Sequence, residues 1–101
     1  MASNKLILIE QAVVELEDAC LFYNNKVAGL GFEFEEEVII LLELIKENPL
    51  LFPIKFAHIR EAVVRRFPFV INYEILGKQI IVSAVFHAKQ NPKKKIKRKH
   101  K

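Results

Sequence analysis

The sequence predicts an α+β domain in the order β-α-α-β-β-β, with a helical hairpin packed on one face of a small antiparallel sheet. Three observations carry this reading. In the first half, apolar residues recur at helical spacing through two acid-rich segments joined by glycines; in the second half they alternate with a period of two. The chain has 101 residues, 51% of them hydrophobic, which suffices for one core without metal or disulfides. Its lone cysteine, Cys20, has no partner within the chain. Residues 1–92 are therefore expected to form one domain. Residues 93–101 form a lysine-rich tail with too few apolar residues to fold alone, expected to stay disordered.

Each element has a local reason. Leu6 to Ile9 is a short all-apolar run, the pattern of a strand buried on both faces. Ala12, Leu16, Ala19, Cys20, Tyr23 and Val27 define one stripe of a helix over residues 11–27. Gly29 and Gly31 bracket Leu30 and are expected to supply the positive φ angles of a chain reversal. A second helix is predicted from about Phe32 to Glu47, its stripe of Phe34, Val38, Leu41, Leu42 and Ile45 widened by Ile39, Ile40 and Leu44. Asn48-Pro49 ends it, because proline disfavours the α region for the residue before it. Ile59 to Arg66 reads as a strand, with a bend at Pro68. Phe69, Ile71, Tyr73 and Ile75 alternate in the next strand, and Gly77-Lys78 closes a hairpin to the last. There Ile80, Val82, Ala84 and Phe86 are expected on one face, with Ile81, Ser83, Val85 and His87 on the other.

Charge is distributed unevenly. Residues 1–47 carry a balance of −7, residues 48–90 of +4, and the tail of +7. Such a molecule should orient polyanions onto its basic half. No apolar run approaches the ~20 residues of a membrane span. The start of the chain lacks the pattern of a secretory signal, and a reducing cytoplasm is the expected location. No spacing of histidine, cysteine or carboxylates suits a metal, and no cofactor is expected.

Taken in order, several short stretches carry a resemblance. They are Gly29-Leu30-Gly31-Phe32, Glu47-Asn48-Pro49, Phe52-Pro53, Ile59-Arg60, Arg65-Arg66-Phe67-Pro68-Phe69, Ile71-Asn72-Tyr73 and Ala84-Val85-Phe86-His87. Over residues 5–92 the set resembles the RelE/ParE superfamily of bacterial type II toxins, also described as plasmid stabilisation proteins. The resemblance implies a small growth-inhibiting toxin held inactive by a cognate antitoxin, in a complex that can be of higher order. Some relatives cleave messenger RNA on the ribosome, and others inhibit DNA gyrase without being nucleases. A third possibility is a binding domain that keeps the fold without toxicity.

Metal-free RNA cleavage needs a base, an acid and cations for the phosphorane charge. His87, at the end of the last strand, is the candidate for proton transfer, and it matches the family's C-terminal histidine. Its alternative role is a ring packed at the sheet edge. Arg65 and Arg66 complete the catalytic candidates, since guanidinium groups suit bidentate phosphate recognition. As strand neighbours they are expected on opposite faces, with Arg66 on the face of Arg60. Arg60, Lys89, Lys93, Lys94 and Lys95 are candidates for contact with nucleic acid or antitoxin. Lys89 stands where many relatives carry arginine. Ala88 to Pro92 include no aromatic residue of the kind ribonuclease members often place near this histidine. The balance therefore favours a surface-bound target such as gyrase over a cleaved message. An apolar groove with a basic rim is expected to receive the antitoxin.

Overall fold

In the computed structural model, which describes residues 4–89, seven elements follow one another. They are β1 (Lys5–Leu8), α1 (Glu10–Lys26), α2 (Leu30–Glu47), β2 (Ile54–Phe56), β3 (Ile59–Val63), β4 (Phe69–Leu76) and β5 (Gln79–His87). The α+β class and the helical hairpin on the sheet are as expected. The sheet order is β1-β5-β4-β3-β2. Strands β2 to β5 are antiparallel, whereas β1 joins parallel to β5, so the sheet is mixed. Strand β2 adds to the expected order. Its three residues lie between Pro53 and a turn at Ala57, too short a run for alternation to show. Strand β1 is an edge strand, only half-buried, with Leu6 and Leu8 turned to the core.

Both helices pack on one sheet face. Ala12 and Ala19 of α1 and Phe34, Val38, Leu41 and Ile45 of α2 meet Ala62, Phe69, Ile71, Tyr73, Ile80, Val82 and Val85 of the sheet. The two glycines of the hairpin have different tasks. Gly29 has φ +88, the left-handed conformation that lets the chain reverse. Gly31 is already helical and buried, and its task is close approach. A β-carbon there would lie 2.2 Å from the Cys20 carbonyl oxygen and 2.6 Å from the Asn24 side chain. Asn24 Oδ1 accepts a hydrogen bond from the Gly31 N–H at 2.7 Å, satisfying one of the free donors at the start of α2.

Two departures in the sheet move candidate residues. Strand β3 ends at Val63, not Arg66, because Arg66 turns the chain with φ +72. The Val64 N–H then donates to the Phe69 carbonyl at 2.8 Å, closing the turn. Arg65 and Arg66 are thus turn residues, and strand alternation does not assign their faces. In β5, Asn72 pairs with Ala84 while Tyr73 pairs with Val82, so Ser83 is the extra residue of a bulge. Past the bulge the alternation inverts. Val85 and His87 share the helix-facing side with Ile80 and Val82, while Ala84 and Phe86 turn to the other face beside Asn72 and Val70. The expected placement of Ala84, Phe86, Val85 and His87 is corrected accordingly.

The loop after α2 is tied down by polar contacts to the sheet. The buried Tyr73 hydroxyl donates to the Pro49 carbonyl at 2.6 Å, and Arg60 Nη1 donates to the Phe52 carbonyl at 2.6 Å. Burial raises the Tyr73 pKa, an effect the Arg60 charge partly opposes.

The hairpin geometry makes Gly31→Ala more destabilising than Gly29→Ala. The first forces the helix backbones apart, and overpacking costs about 1–3 kcal/mol. The second places a β-carbon in open space and meets only the left-handed penalty of about 1–2 kcal/mol. Urea unfolding should show the larger midpoint shift for Gly31→Ala.

Candidate functional site

One end of the sheet gathers four of the candidate residues. The β3–β4 turn, bearing Arg65 and Arg66, lies against the end of β5, where the Ala88 N–H donates to the Pro68 carbonyl at 2.7 Å. His87 and Lys89 flank that contact. Arg66 is engaged with α2. Its Nη2 lies 2.9 Å from Glu33 Oε1, its Nη1 lies 3.8 Å from Glu37, and the guanidinium sits 5.5 Å from the Phe67 ring centroid. The Glu33 hydrogen bond raises the Arg66 pKa further, so its charge is permanent. Arg65 is exposed, with no hydrogen bond or ion pair among the described residues. Arg60 lies away from this end, cross-paired with Tyr73, its guanidinium held by the Phe52 and Leu50 carbonyls. Lys93, Lys94 and Lys95 lie outside the described residues.

His87 faces the helices rather than open solvent. Its ring packs edge-on against Phe69 at 5.4 Å between centroids, opposite it in the β4–β5 ladder. The Lys89 N–H donates to His87 Nδ1 at 3.1 Å, so the neutral ring carries its proton on Nε2. A cavity of about 240 Å³ adjoins it, lined by Glu15, Asp18, Ala19, Phe69, Val85, Phe86 and His87. The charged groups in that lining are two carboxylates. Such a cavity repels a phosphate and favours a cationic or hydrogen-bond-donating group.

Glu15 was not a sequence candidate. Its Oε1 accepts the Val85 N–H at 2.8 Å, two residues past the bulged Ser83. A helix carboxylate thereby fixes the strand that ends in His87. On sequence alone Glu15 is one of ten acids in the first half, and only its place beside Leu16 on the stripe edge sets it apart.

A second opening lies between the helices. Val13, Leu16, Cys20, Leu21 and Phe32 line a groove of about 370 Å³ with Glu17 and Glu35 at its margins. Leu21 and Phe32 are 61% and 67% exposed. The expected basic rim is corrected here: the charged residues lining this groove are acidic, because the helical half carries the acids. Burial, with Glu35 and Glu17 adding to it, raises the Cys20 pKa, and the thiol behaves as a small apolar group.

The sheet face away from the helices carries Asn72, Glu61 and Glu74. Glu74 meets His58 at 2.7 Å and Glu61 meets Lys55 at 3.7 Å. Asn72 is 5% exposed, and its Oδ1 has no hydrogen-bond partner among the described residues. Among the described residues no group of three histidine, cysteine or acidic side chains could hold a metal ion, and no helix is long and apolar enough to cross a membrane.

No family model matches this sequence, and no curated protein matches it. Solved structures do. A chain of the chromosomal ParDE TA system from P. aeruginosa is similar with a TM-score of 0.77 at 13% identity, over 86% of this chain and 98% of that one. The fold is that of the RelE/ParE-type toxins. A chain of the E. coli DinJ-YafQ toxin-antitoxin complex is similar with a TM-score of 0.59 at 12% identity, over 86% of this chain and 94% of that one. In this RelE/ParE-type fold, the end of β5 and the β3–β4 turn form a surface where Arg65 is free, Arg66 is paired and His87 is turned inward.

The Glu15 bond has a local readout. Glu15→Ala leaves the Val85 N–H without its acceptor, at a cost of about 1–3 kcal/mol. Amide exchange at Val85 should accelerate in Glu15→Ala. Glu15→Gln keeps an acceptor oxygen and should lose much less protection.

Proposed function

We propose that this chain is the toxin of a type II toxin–antitoxin pair, acting by binding a macromolecular target such as DNA gyrase. The fold supports the toxin reading. The observation that carries the choice of mechanism is the setting of His87. Its cavity is shared with Glu15 and Asp18, Arg66 is committed to Glu33 and Glu37, and Arg60 to loop carbonyls. A ribonuclease needs cations and a proton-transfer group converging on one phosphate, and these side chains point to different partners. Arg65 and Lys89, exposed at the same end, are the candidates for target contact.

A second reading, cleavage of ribosome-bound messenger RNA, rests on Arg65, Arg66, His87 and Lys89 lying near one another at the end of the sheet. The two readings part at His87. Under surface binding, His87→Gln keeps full growth arrest with intact messages, and arrest is accompanied by DNA-damage signalling. Under cleavage, His87→Gln loses about 10²- to 10⁴-fold in rate, restores growth and spares messages that the unmodified toxin destroys. Messenger RNA integrity and growth at matched protein levels distinguish them. Healthy growth with the unmodified chain would leave only the non-toxic binding domain.

The antitoxin is proposed to fill the groove between α1 and α2. The acidic margins call for a segment that combines apolar anchors with lysine or arginine. Cognate antitoxin at a hundred times its Kd should stabilise the toxin by about 2.7 kcal/mol, read as a raised Tm. An unchanged Tm would remove the antitoxin from this reading.

A further inference from the structure

The same groove fits a segment of the chain itself. Its walls are mostly apolar, Glu17 and Glu35 lie at its margins, and its two most exposed apolar side chains are Leu21 and Phe32. A matching occupant has one apolar side chain set among cations. Residues 93–101 have that composition: Ile96 follows Lys93, Lys94 and Lys95 and precedes Lys97, Arg98 and Lys99. Charge complementarity holds on the larger scale too, with −7 over residues 1–47 and +7 in the tail.

The exit point suits this occupant. The described chain ends at Lys89, beside the cavity that Glu15 and Asp18 of α1 line. Seven residues lead from Lys89 to Ile96, and in extended form they span at most about 23–25 Å. A helix with its side chains is about 10–12 Å across. The segment can therefore pass from the Asp18 side of α1 over its solvent face to the groove on the far side. Val14 and Leu21, both exposed on α1, lie along that path.

We propose that residues 93–101 dock across α1 of their own chain, with Ile96 in the groove between α1 and α2 and the flanking cations against Asp18, Glu17 and Glu35. Docking there keeps the tail's charges on the protein's own acids and away from polyanions, and it occupies the groove until a stronger ligand displaces it. The contact is electrostatically assisted and weakens in high salt, since at 1 M the screening length falls to about 3 Å.

The test uses the full chain, isotopically labelled. Nuclear Overhauser contacts from the Ile96 methyls to Leu21 and the Phe32 ring are expected at low salt and should fade at 1 M. Ile96→Ser should move the Leu21 and Phe32 amide resonances. The paired change Glu17→Lys and Glu35→Lys should abolish the contacts while β4 and β5 resonances stay in place. Unmoved Leu21 and Phe32 amides in Ile96→Ser overturn the proposal even if the charge-reversed variant does not fold. Contacts that appear only between differently labelled molecules overturn it in favour of a second copy. Tail resonances that shift only on addition of duplex DNA overturn it in favour of a nucleic-acid contact.

Discussion

Four rings hold the two halves of the molecule together. Phe34 of α2 lies 5.3 Å from Tyr23 of α1, 5.1 Å from Phe67 in the β3–β4 turn and 4.9 Å from Phe69 of β4, centroid to centroid. Tyr23 in turn meets Phe67 at 5.0 Å and Phe69 at 5.9 Å. Edge-to-face aromatic pairs add to the burial of their area and fix relative orientation. The rest of this end follows from them. The glycine turn must be tight enough to bring Phe34 beside Tyr23. Arg66 must adopt its left-handed conformation so that Phe67 points inward, and Phe69 supplies the surface on which the His87 ring rests.

Charge is arranged around that cluster in two fields that meet at few points. The helices carry the acids and the strand half the cations, and Arg66 bridges them through Glu33 and Glu37. On the far side of the sheet, Lys55 meets Glu61 and His58 meets Glu74, so both carboxylates of that face have partners. Exposed ion pairs of this kind add little to stability individually. Their effect here is on availability, because a guanidinium committed to a carboxylate is a poorer phosphate ligand than a free one. Among the described residues, Arg65 and Lys89 keep that freedom; Arg66 and Arg60 do not.

Much of the fold was legible in the residues. The helical stripes, the Asn48-Pro49 stop and the Gly77-Lys78 hairpin all follow from local rules, and each lies where the spacing placed it within two residues. Misplaced features depended on information that periodicity lacks. A bulge at Ser83 adds one residue to β5 and inverts every later face, yet Ser83 looks like any outward-facing polar residue. Arg66 turns the chain with a conformation that its side chain gives no hint of. Strand β2 is short and exposed, so pairing with β3 defines it rather than its own composition. The candidate site suffered most, because His87 lies just past the bulge and the two arginines sit in the turn itself. Glu15 acts through a contact 70 positions along the chain, and its place on the stripe edge gave no hint of that partner.

The position of β1 has a consequence for how the protein is made. Its ladder partner is β5, with Lys5 opposite Gln79 and Leu8 opposite Val82. The first strand to leave the ribosome therefore waits for the last, while the hairpin of α1 and α2 can form from neighbouring residues alone. Contacts so distant in sequence close late and slow the final folding step. Until β5 emerges, β4 and β1 each present an unpaired edge, a state open to capture by chaperones or by other strands. His87, at the tip of β5, reaches its place only when synthesis of the sheet is finished. A chain interrupted between β4 and β5 thus carries both helices and all four rings of the aromatic cluster, but lacks the strand that completes the surface at the end of the sheet.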